Sequence, residues 1–254
     1  MKITIITPTF NSALTIKDTI ISIYNQNYSN IEHIIIDNCS SDKTINIIKG
    51  MSLPYTKIIS EKDKGIYYAM NKGINLATGD VVGFLNSDDF YADADVLSKV
   101  INQFKKNTSL DACYADLIYT DKFDTFKNNR YWKSNKFKNG MFSKGWSPPH
   151  PTFFAHRSVY ERFGVFNTNF QFASDNEIMM RFLEVHKINV NYVSEVWVKM
   201  RLGGISNNNL KNIFLQNMEI LKALYQNGLP SNPLIFFFNK IILRINQRIR
   251  SLIN

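Results

Sequence analysis

Three short apolar runs constrain this chain more than anything else in it. Residues 3–9 (ITIITPT), 31–37 (IEHIIID) and 81–85 (VVGFL) are rich in β-branched residues, and each gives way to a polar cluster. Continuous apolar runs of this length suit strands buried on both faces, as in a parallel sheet. Helical spacing fills the gaps. Residues 14–26 carry Leu14, Ile20, Ile21 and Tyr24 at near-helical intervals, and a second helix is expected after Ser40 or Ser41 as cap, with Asp42 in its first turn. A short strand at 56–60, a helix at 66–77 stopped by Gly79 and a helix at 95–105 continue the alternation. Strand and helix in turn predict an α/β domain with crossover helices.

In open parallel sheets, ligands sit beyond the carboxyl ends of the strands. Residues 7–10, 37–40 and 86–89 should therefore gather at one rim. From about Asp111 the alternation loosens, and residues 120–147 read as a polar and aromatic excursion over the sheet. Pro148-Pro149-His150-Pro151 forbids regular helix. Residues 175–185 read as helix, 188–193 and 196–200 as strands, and 210–225 as an amphipathic helix ended by Gly228 and Pro230.

Composition narrows the class. With 254 residues, 44% of them hydrophobic and 20% charged, the chain can bury a sizeable core. The formal charge of +9 suits a polyanionic ligand or an anionic membrane face. Two cysteines, Cys39 and Cys113, support neither a disulfide framework nor a thiolate zinc site, and the four histidines have no zinc spacing. No secretory signal and no run of ~18 apolar residues stands out, so a cytoplasmic protein is expected. Neither G-x-G-x-x-G nor G-x-x-x-x-G-K-[ST] occurs. Nucleic-acid binding has no aromatic-basic platform or helix-turn-helix pattern behind it.

Four ordered segments, ITPTFNS, IIIDNCSSDKT, EKDKGIYYAMNKGINLATGDVVGFLNSDD and ASDNEIMMRF, together resemble family 2 glycosyltransferases with the GT-A fold over roughly residues 1–206. The resemblance implies a mostly parallel central sheet flanked by helices. A Rossmann-like nucleotide half (1–110) and an acceptor half (111–206) would be followed by a C-terminal helical extension (207–254). It implies an inverting transfer of a hexose-type sugar from a UDP- or dTDP-sugar to a glycan acceptor, possibly polyprenyl-linked, in bacterial surface polysaccharide assembly, with Mg²⁺ or Mn²⁺ as cofactor.

The same resemblance assigns residues. Thr7, Pro8 and Phe10 would line the nucleotide pocket, Asp37 would lie beside the base or ribose, Asp63 would read the pyrimidine edge, and Lys72 would stand near the diphosphate or nucleoside. Asp88 would hold the metal, with Asp89 its neighbour. Asn86 stands where the family motif often has Asp; its amide oxygen can still accept from a ribose hydroxyl, at the loss of one negative charge. Asp175 matches the catalytic base, with Glu177 the fallback. Plainer roles exist: Asp88 and Asp89 could cap the next helix, and Ser174 or Asp175 the helix at 175.

Arg201, before the paired glycines Gly203-Gly204, would help to offset diphosphate charge from a loop that closes on the site. Trp146 suits either a sugar face or the core, and His150 a structural position. In the tail, 234–254, one helical side carries Ile241, Ile242, Ile245, Ile249 and Leu252, and the other Lys240, Arg244 and Arg248. Such a helix fits peripheral binding to the inner membrane surface with its basic side on headgroups, or packing on protein. Two other functions compete. A sugar-1-phosphate nucleotidyltransferase needs a Gly-rich, basic loop after the first strand, which ITPTFNSA lacks. A non-catalytic, membrane-associated glycan- or nucleotide-binding protein would show no turnover.

Overall fold

The structure, a computed structural model, describes residues 1–203 and 210–253. Residues 1–110 run β1 (Ile3–Thr9), α1 (Ile16–Tyr24), β2 (Ile31–Asp37), α2 (Thr44–Lys49), β3 (Thr56–Ser60), α3 (Ile66–Leu76), β4 (Val81–Phe84), β5 (Phe90–Tyr91) and α4 (Val96–Lys106). There follow β6 (Ala112–Thr120), β7 (Asn128–Trp132), β8 (Phe154–His156), α5 (Arg157–Phe163), α6 (Ser174–Met180), β9 (Val190–Arg201), α7 (Leu210–Gln226) and α8 (Pro233–Ile253).

One nine-stranded sheet has the order β3-β2-β1-β4-β8-β6-β9-β5, with β7 added on β6. Pairing directions place β3, β2, β1, β4, β6 and β9 one way and β8, β5 and β7 the other, so the sheet is mostly parallel. Thr9, Asp37 and Phe84 end parallel strands at one rim, so residues 7–10, 37–40 and 86–89 gather there as predicted, and Thr120 and Arg201, which were not among the predicted clusters, join them. Isoleucines fill both faces: Ile3 and Ile5 pack towards α4, while Ile6 and Ile34 pack towards α3. The helix α3 lies close on β1 because Gly73 has no side chain; a Cβ there would stand 2.4 Å from Ile6 Cγ2.

Several expectations are corrected. The second helix starts at Thr44, with Lys43 as N-cap, because Ser40 is held by Asp37 and Asp42 accepts from the Thr44 amide at 2.9 Å. The two late strands are one, β9, whose register against β6 shifts between Tyr114 and Leu117. The excursion contains β7, and His150–Thr152 forms a single 3₁₀ turn.

The C-terminal helices are not a separate layer. Ile220, Ala223 and Leu224 of α7 and Phe236 of α8 are buried in one core with Tyr67, Phe142, Trp146 and Phe182. The expected boundary at 206 lies outside the described residues, as do Gly204–Ser206 of the closing loop. The two sides of α8 marked in the sequence face different ways, with Arg248 of the basic side exposed. Phe236, Lys240 and Arg244 turn inward, whereas Ile241, Ile242, Ile245 and Ile249 are exposed. Leu252 is beyond the side chains described. Among the described residues no helix is long and apolar enough to cross a membrane.

Candidate active site

Beyond β4 the chain turns through Asn86, Ser87, Asp88 and Asp89, and four side chains fix that turn. Ser12 shares a hydrogen bond with Ser87 (2.7 Å), Thr15 donates to the Ser87 carbonyl (2.8 Å) and Thr19 to the Asp89 carbonyl (2.7 Å). Arg201, at the end of β9, donates to the Asp88 carbonyl at 2.7 Å and to Asp18 at 2.5 Å. Both terminal nitrogens of Arg201 are thus engaged, so it braces the acidic turn and is not presented as a free cation to a diphosphate. Nor do Asp88 and Asp89 cap a helix: β5 follows them, and α4 begins after Asp95.

Asp89 is fully buried. Its Oδ2 accepts from Asn86 Nδ2 at 3.1 Å, while its Oδ1 has no partner. Burial pushes its pKa well up, and the neighbouring Asp88 charge pushes it further; Asp88 is itself raised by burial against the pull of Arg201. Two adjacent carboxylates driven towards protonation, one with an orphaned oxygen, form an arrangement that a divalent cation relieves. No cluster of three or more His, Cys, Asp or Glu side chains exists among the described residues. The Asp88 and Asp89 carboxylates are oxygen donors of the kind a hard cation takes together with substrate phosphates. Asn86 supplies the amide donor for Asp89, and its own Oδ1 is buried without a partner, leaving the acceptor predicted for it open.

At the start of α3, Asp63 and Lys72 meet at 2.8 Å, and Lys72 also pairs with Glu61 at 2.6 Å. Asp63 Oδ2 is buried and unpartnered, and the Asp63 amide is held by Asn38 Oδ1 at 2.5 Å. Asp37 is fully buried and consumed locally by Ser40 and by Ser60, whose hydroxyl donates at 2.6 Å. Phe10 is 56% exposed at the rim, while Pro8 is buried. Thr7 departs from expectation: it is fully buried, with its hydroxyl 3.0 Å from Nε2 of buried His33, so it serves the sheet.

Asp175 lies in the first turn of α6. Its Oδ1 takes hydrogen bonds from the Asn176 amide (2.8 Å), Asn176 Nδ2 (3.3 Å) and the Tyr67 hydroxyl (3.2 Å). Oδ2 has no partner among the described residues. Capping is not the role of Asp175, since Ala173 is the N-cap and the Ser174 hydroxyl, though buried, bonds to nothing. The amides of Gln171, Phe172 and Ala173 are instead received by Glu219 of α7 at 3.0, 2.7 and 3.0 Å. Glu177, the fallback base, is buried and paired with Arg181 at 2.9 Å, which removes it from the chemistry.

Aromatic contacts join the two acidic positions. Tyr67, donor to Asp175, stacks on Phe166 at 5.6 Å, and Phe166 meets Phe84 edge-on at 5.2 Å at the end of β4, directly before the acidic turn. His150 fills the corner against Phe84 and Phe166; burial lowers its pKa, with Asp175 opposing, so it is a neutral structural ring. Trp146 is core, packed on Tyr114, Phe137 and Phe142. Sequence reasoning passed over Thr15, Thr19, Tyr67 and Glu219. Only Tyr67 had a signal, sharing the inward α3 face with Met70 and Ile74.

This sheet, with an acidic turn beyond β4 and a carboxylate presented by a later helix, defines a nucleotide-sugar transferase of the GT-A fold. The family model for glycosyl transferase family 2 matches residues 4–164, and the chain belongs to that family. It is 27% identical over 224 residues to a PGL/p-HBAD biosynthesis glycosyltransferase of Mycobacterium bovis, covering 87% of this chain and 85% of that one. Over 108 residues it is 38% identical to a glycosyltransferase of Haemophilus influenzae, covering 41% and 43% of the two chains. Among solved structures, S. aureus TarS 1-349 in complex with UDP-GlcNAc superposes with TM-score 0.68 at 17% identity, covering 91% of this chain and 68% of that chain. The mannosyltransferase PcManGT from Pyrobaculum calidifontis, in complex with GDP-Man and Mn2+, gives TM-score 0.68 at 17% identity, covering 99% and 74%.

Proposed function

We propose that this glycosyltransferase moves a hexose-type sugar, with inversion, from a UDP- or dTDP-sugar to a glycan acceptor carried on a lipid, in bacterial surface polysaccharide assembly. The observation that carries the reading is the Asp175 carboxylate. One oxygen is fixed by Tyr67 and Asn176, and the other is left open, on the same aromatic wall that ends at the Asp88 turn. Oδ2 of Asp175 takes the acceptor hydroxyl proton as that oxygen bonds to the anomeric carbon; the bond from that carbon to the diphosphate oxygen breaks, and its electron pair leaves with the nucleotide. Orientation of the carboxylate by two groups supplies most of its effect.

Asp88, with Asp89 beside it, would hold Mg²⁺ or Mn²⁺. When bound, the ion offsets charge developing on the departing diphosphate. The open Oδ2 of Asp63 accepts an N–H from the pyrimidine edge, the open Oδ1 of Asn86 accepts from a ribose hydroxyl, and Lys72 holds Asp63 in place. The outward isoleucine face of α8, with Leu234 and Phe238, would sit in the acyl boundary of the inner membrane surface. Structural relatives that bind UDP-GlcNAc, GDP-Man and Mn2+ support the donor class and the ion.

The test is a panel of nucleotide sugars with Mn²⁺, read as nucleotide release with and without lipid-linked acceptors. At least one UDP- or dTDP-sugar should turn over, and Asp175→Asn should abolish turnover while nucleotide still binds. No release from any donor, or an Asp175→Asn enzyme of undiminished rate, would overturn the proposal.

A further inference from the structure

The side of α8 that faces the domain packs Phe236, Phe237 and Leu243 on the core and carries two cations among them. Phe236 anchors it in the core, and the main chain of the helix comes down on Gly145. A Cβ on Gly145 would lie 3.1 Å from the Phe236 carbonyl oxygen and 3.0 Å from Lys240 Cγ, and its φ of 82° favours glycine in any case. One and two turns on from Phe236, at i+4 spacing, come Lys240 and Arg244, both only partly exposed. Beside them on β7 is Arg130, its guanidinium 3.7 Å above the Tyr119 ring and its Nε buried without a hydrogen-bond partner. Among the described residues none of these three cations meets a carboxylate at ion-pair distance, and Lys240 Nζ lies over the Phe236 ring, at 5.5 Å.

Unpaired charges are rarely left partly buried, since desolvating them is costly unless an anion arrives. The helix had an alternative: its exposed face carries four isoleucines, and a helix that only packed or only floated would have turned those inward. Membrane headgroups do not explain Lys240 and Arg244, because that side of α8 is covered by β7 and by the turn at Phe142–Lys144.

We infer that Arg130, Lys240 and Arg244 form a phosphate-binding cradle where α8 meets β7, so that α8 completes the substrate site. The ligand class is an organic phosphate or diphosphate, which three converging N–H donors recognise by charge-assisted hydrogen bonds. Local electrostatics fits this position. Burial and Arg244 push Lys240 down to about 8 while Asp175 pulls it up, and the Tyr119 phenol lies in the field of Arg130, Asp89 and Arg244. Geometry links the cradle to the site as well: Arg130 covers Tyr119, next to the end of β6, and Phe236 shares its core with Tyr67, the donor to Asp175. The assignment rests on the proposed donor chemistry, and two sources share it: the diphosphate of the nucleotide and the phosphate of a lipid-linked acceptor.

The experiment is calorimetric titration of the full chain, in Mn²⁺, with uridine, UDP and geranyl diphosphate, using wild type, Lys240→Ala, Arg244→Ala and Lys240→Arg. Circular dichroism melts accompany each protein to show that it is folded. Each alanine variant should lose about tenfold in affinity for UDP and stay within about twofold for uridine, and Lys240→Arg should keep UDP binding. Loss confined to geranyl diphosphate would assign the same cradle to the acceptor. Folded alanine variants with unchanged affinity for both diphosphates would overturn the inference and leave the transferase reading standing. Wild type that binds neither uridine nor UDP would instead bring down the donor chemistry beneath it, and the inference with it.

Discussion

Replacing Glu219 with alanine probes how far α7 belongs to the catalytic apparatus. This carboxylate receives three consecutive amides, from Gln171 to Ala173, immediately before the helix that carries Asp175. A hydrogen bond to a charged group is worth roughly 1.5–3 kcal/mol net. The Gln171 amide belongs to an exposed residue and rehydrates when released, whereas Ala173 is fully buried and Phe172 partly so. Counting those two at the low end gives a destabilisation of about 3 kcal/mol for Glu219→Ala. Glu219→Gln, which keeps one acceptor oxygen, should cost about 1 kcal/mol. Urea denaturation followed by fluorescence measures both. Because the loop sets the start of α6, the alanine variant should also lose about a hundredfold in kcat while its UDP affinity is nearly unchanged. A loss of stability below about 0.5 kcal/mol together with wild-type kcat would refute the reasoning.

Three other substitutions extend the test. Glu32 is buried; burial would raise its pKa, but hydrogen bonds from Thr4, Thr78 and Lys57 outweigh that and bring it down to about 2. Stability from this depressed carboxylate is present above its unfolded pKa and is lost as pH falls towards 2, so wild type should give up about 3 kcal/mol between pH 5 and pH 2 on the scale of ~1.4 kcal/mol per pKa unit. Denaturant midpoints across that range should be flatter in Glu32→Gln, and a parallel decline would contradict this. Gly145→Ala places a methyl against Phe236 and Lys240 at positive φ, so it should lower the melting temperature and weaken UDP binding, whereas an unaltered melt would mean α8 is not seated there. Arg201→Lys cannot span both Asp18 and the Asp88 carbonyl, so Mn²⁺-dependent UDP affinity should drop about tenfold in titration, and equal affinity would show the brace to be dispensable.

The sequence exposed most clearly what is local. Apolar runs at β1, β2 and β4 announced a parallel sheet, and the polar residues after them announced its rim. Helix starts were less legible, because side chains spent themselves elsewhere. Ser40 looked like a cap but binds Asp37, and Ala173 caps α6 while Glu219, from 46 residues away, receives its amide. Thr7 matched a pocket motif, yet its partner His33 is a cross-strand neighbour that only the register β1 to β2 reveals. Amphipathicity in α8 showed two faces but not which one is buried. The sequence allowed the isoleucine side either membrane or protein; the structure leaves Ile241, Ile242, Ile245 and Ile249 exposed and turns Lys240 and Arg244, but not Arg248, towards the domain. Arg201 was read as a cation for the diphosphate, and its two bonds to Asp18 and Asp88 depend on contacts that no spacing encodes.

The central claim is that one nucleotide diphosphate lies between the acidic turn after β4 and the carboxylate on α6. A crystal structure of the protein with Mn²⁺ and UDP, using anomalous scattering to place the ion, addresses it directly. The account predicts the manganese signal on Asp88, the diphosphate within reach of Lys240 or Arg244, and Oδ2 of Asp175 facing the space where the sugar would sit. Manganese away from Asp88, or UDP bound with Asp175 walled off from its diphosphate, would contradict it.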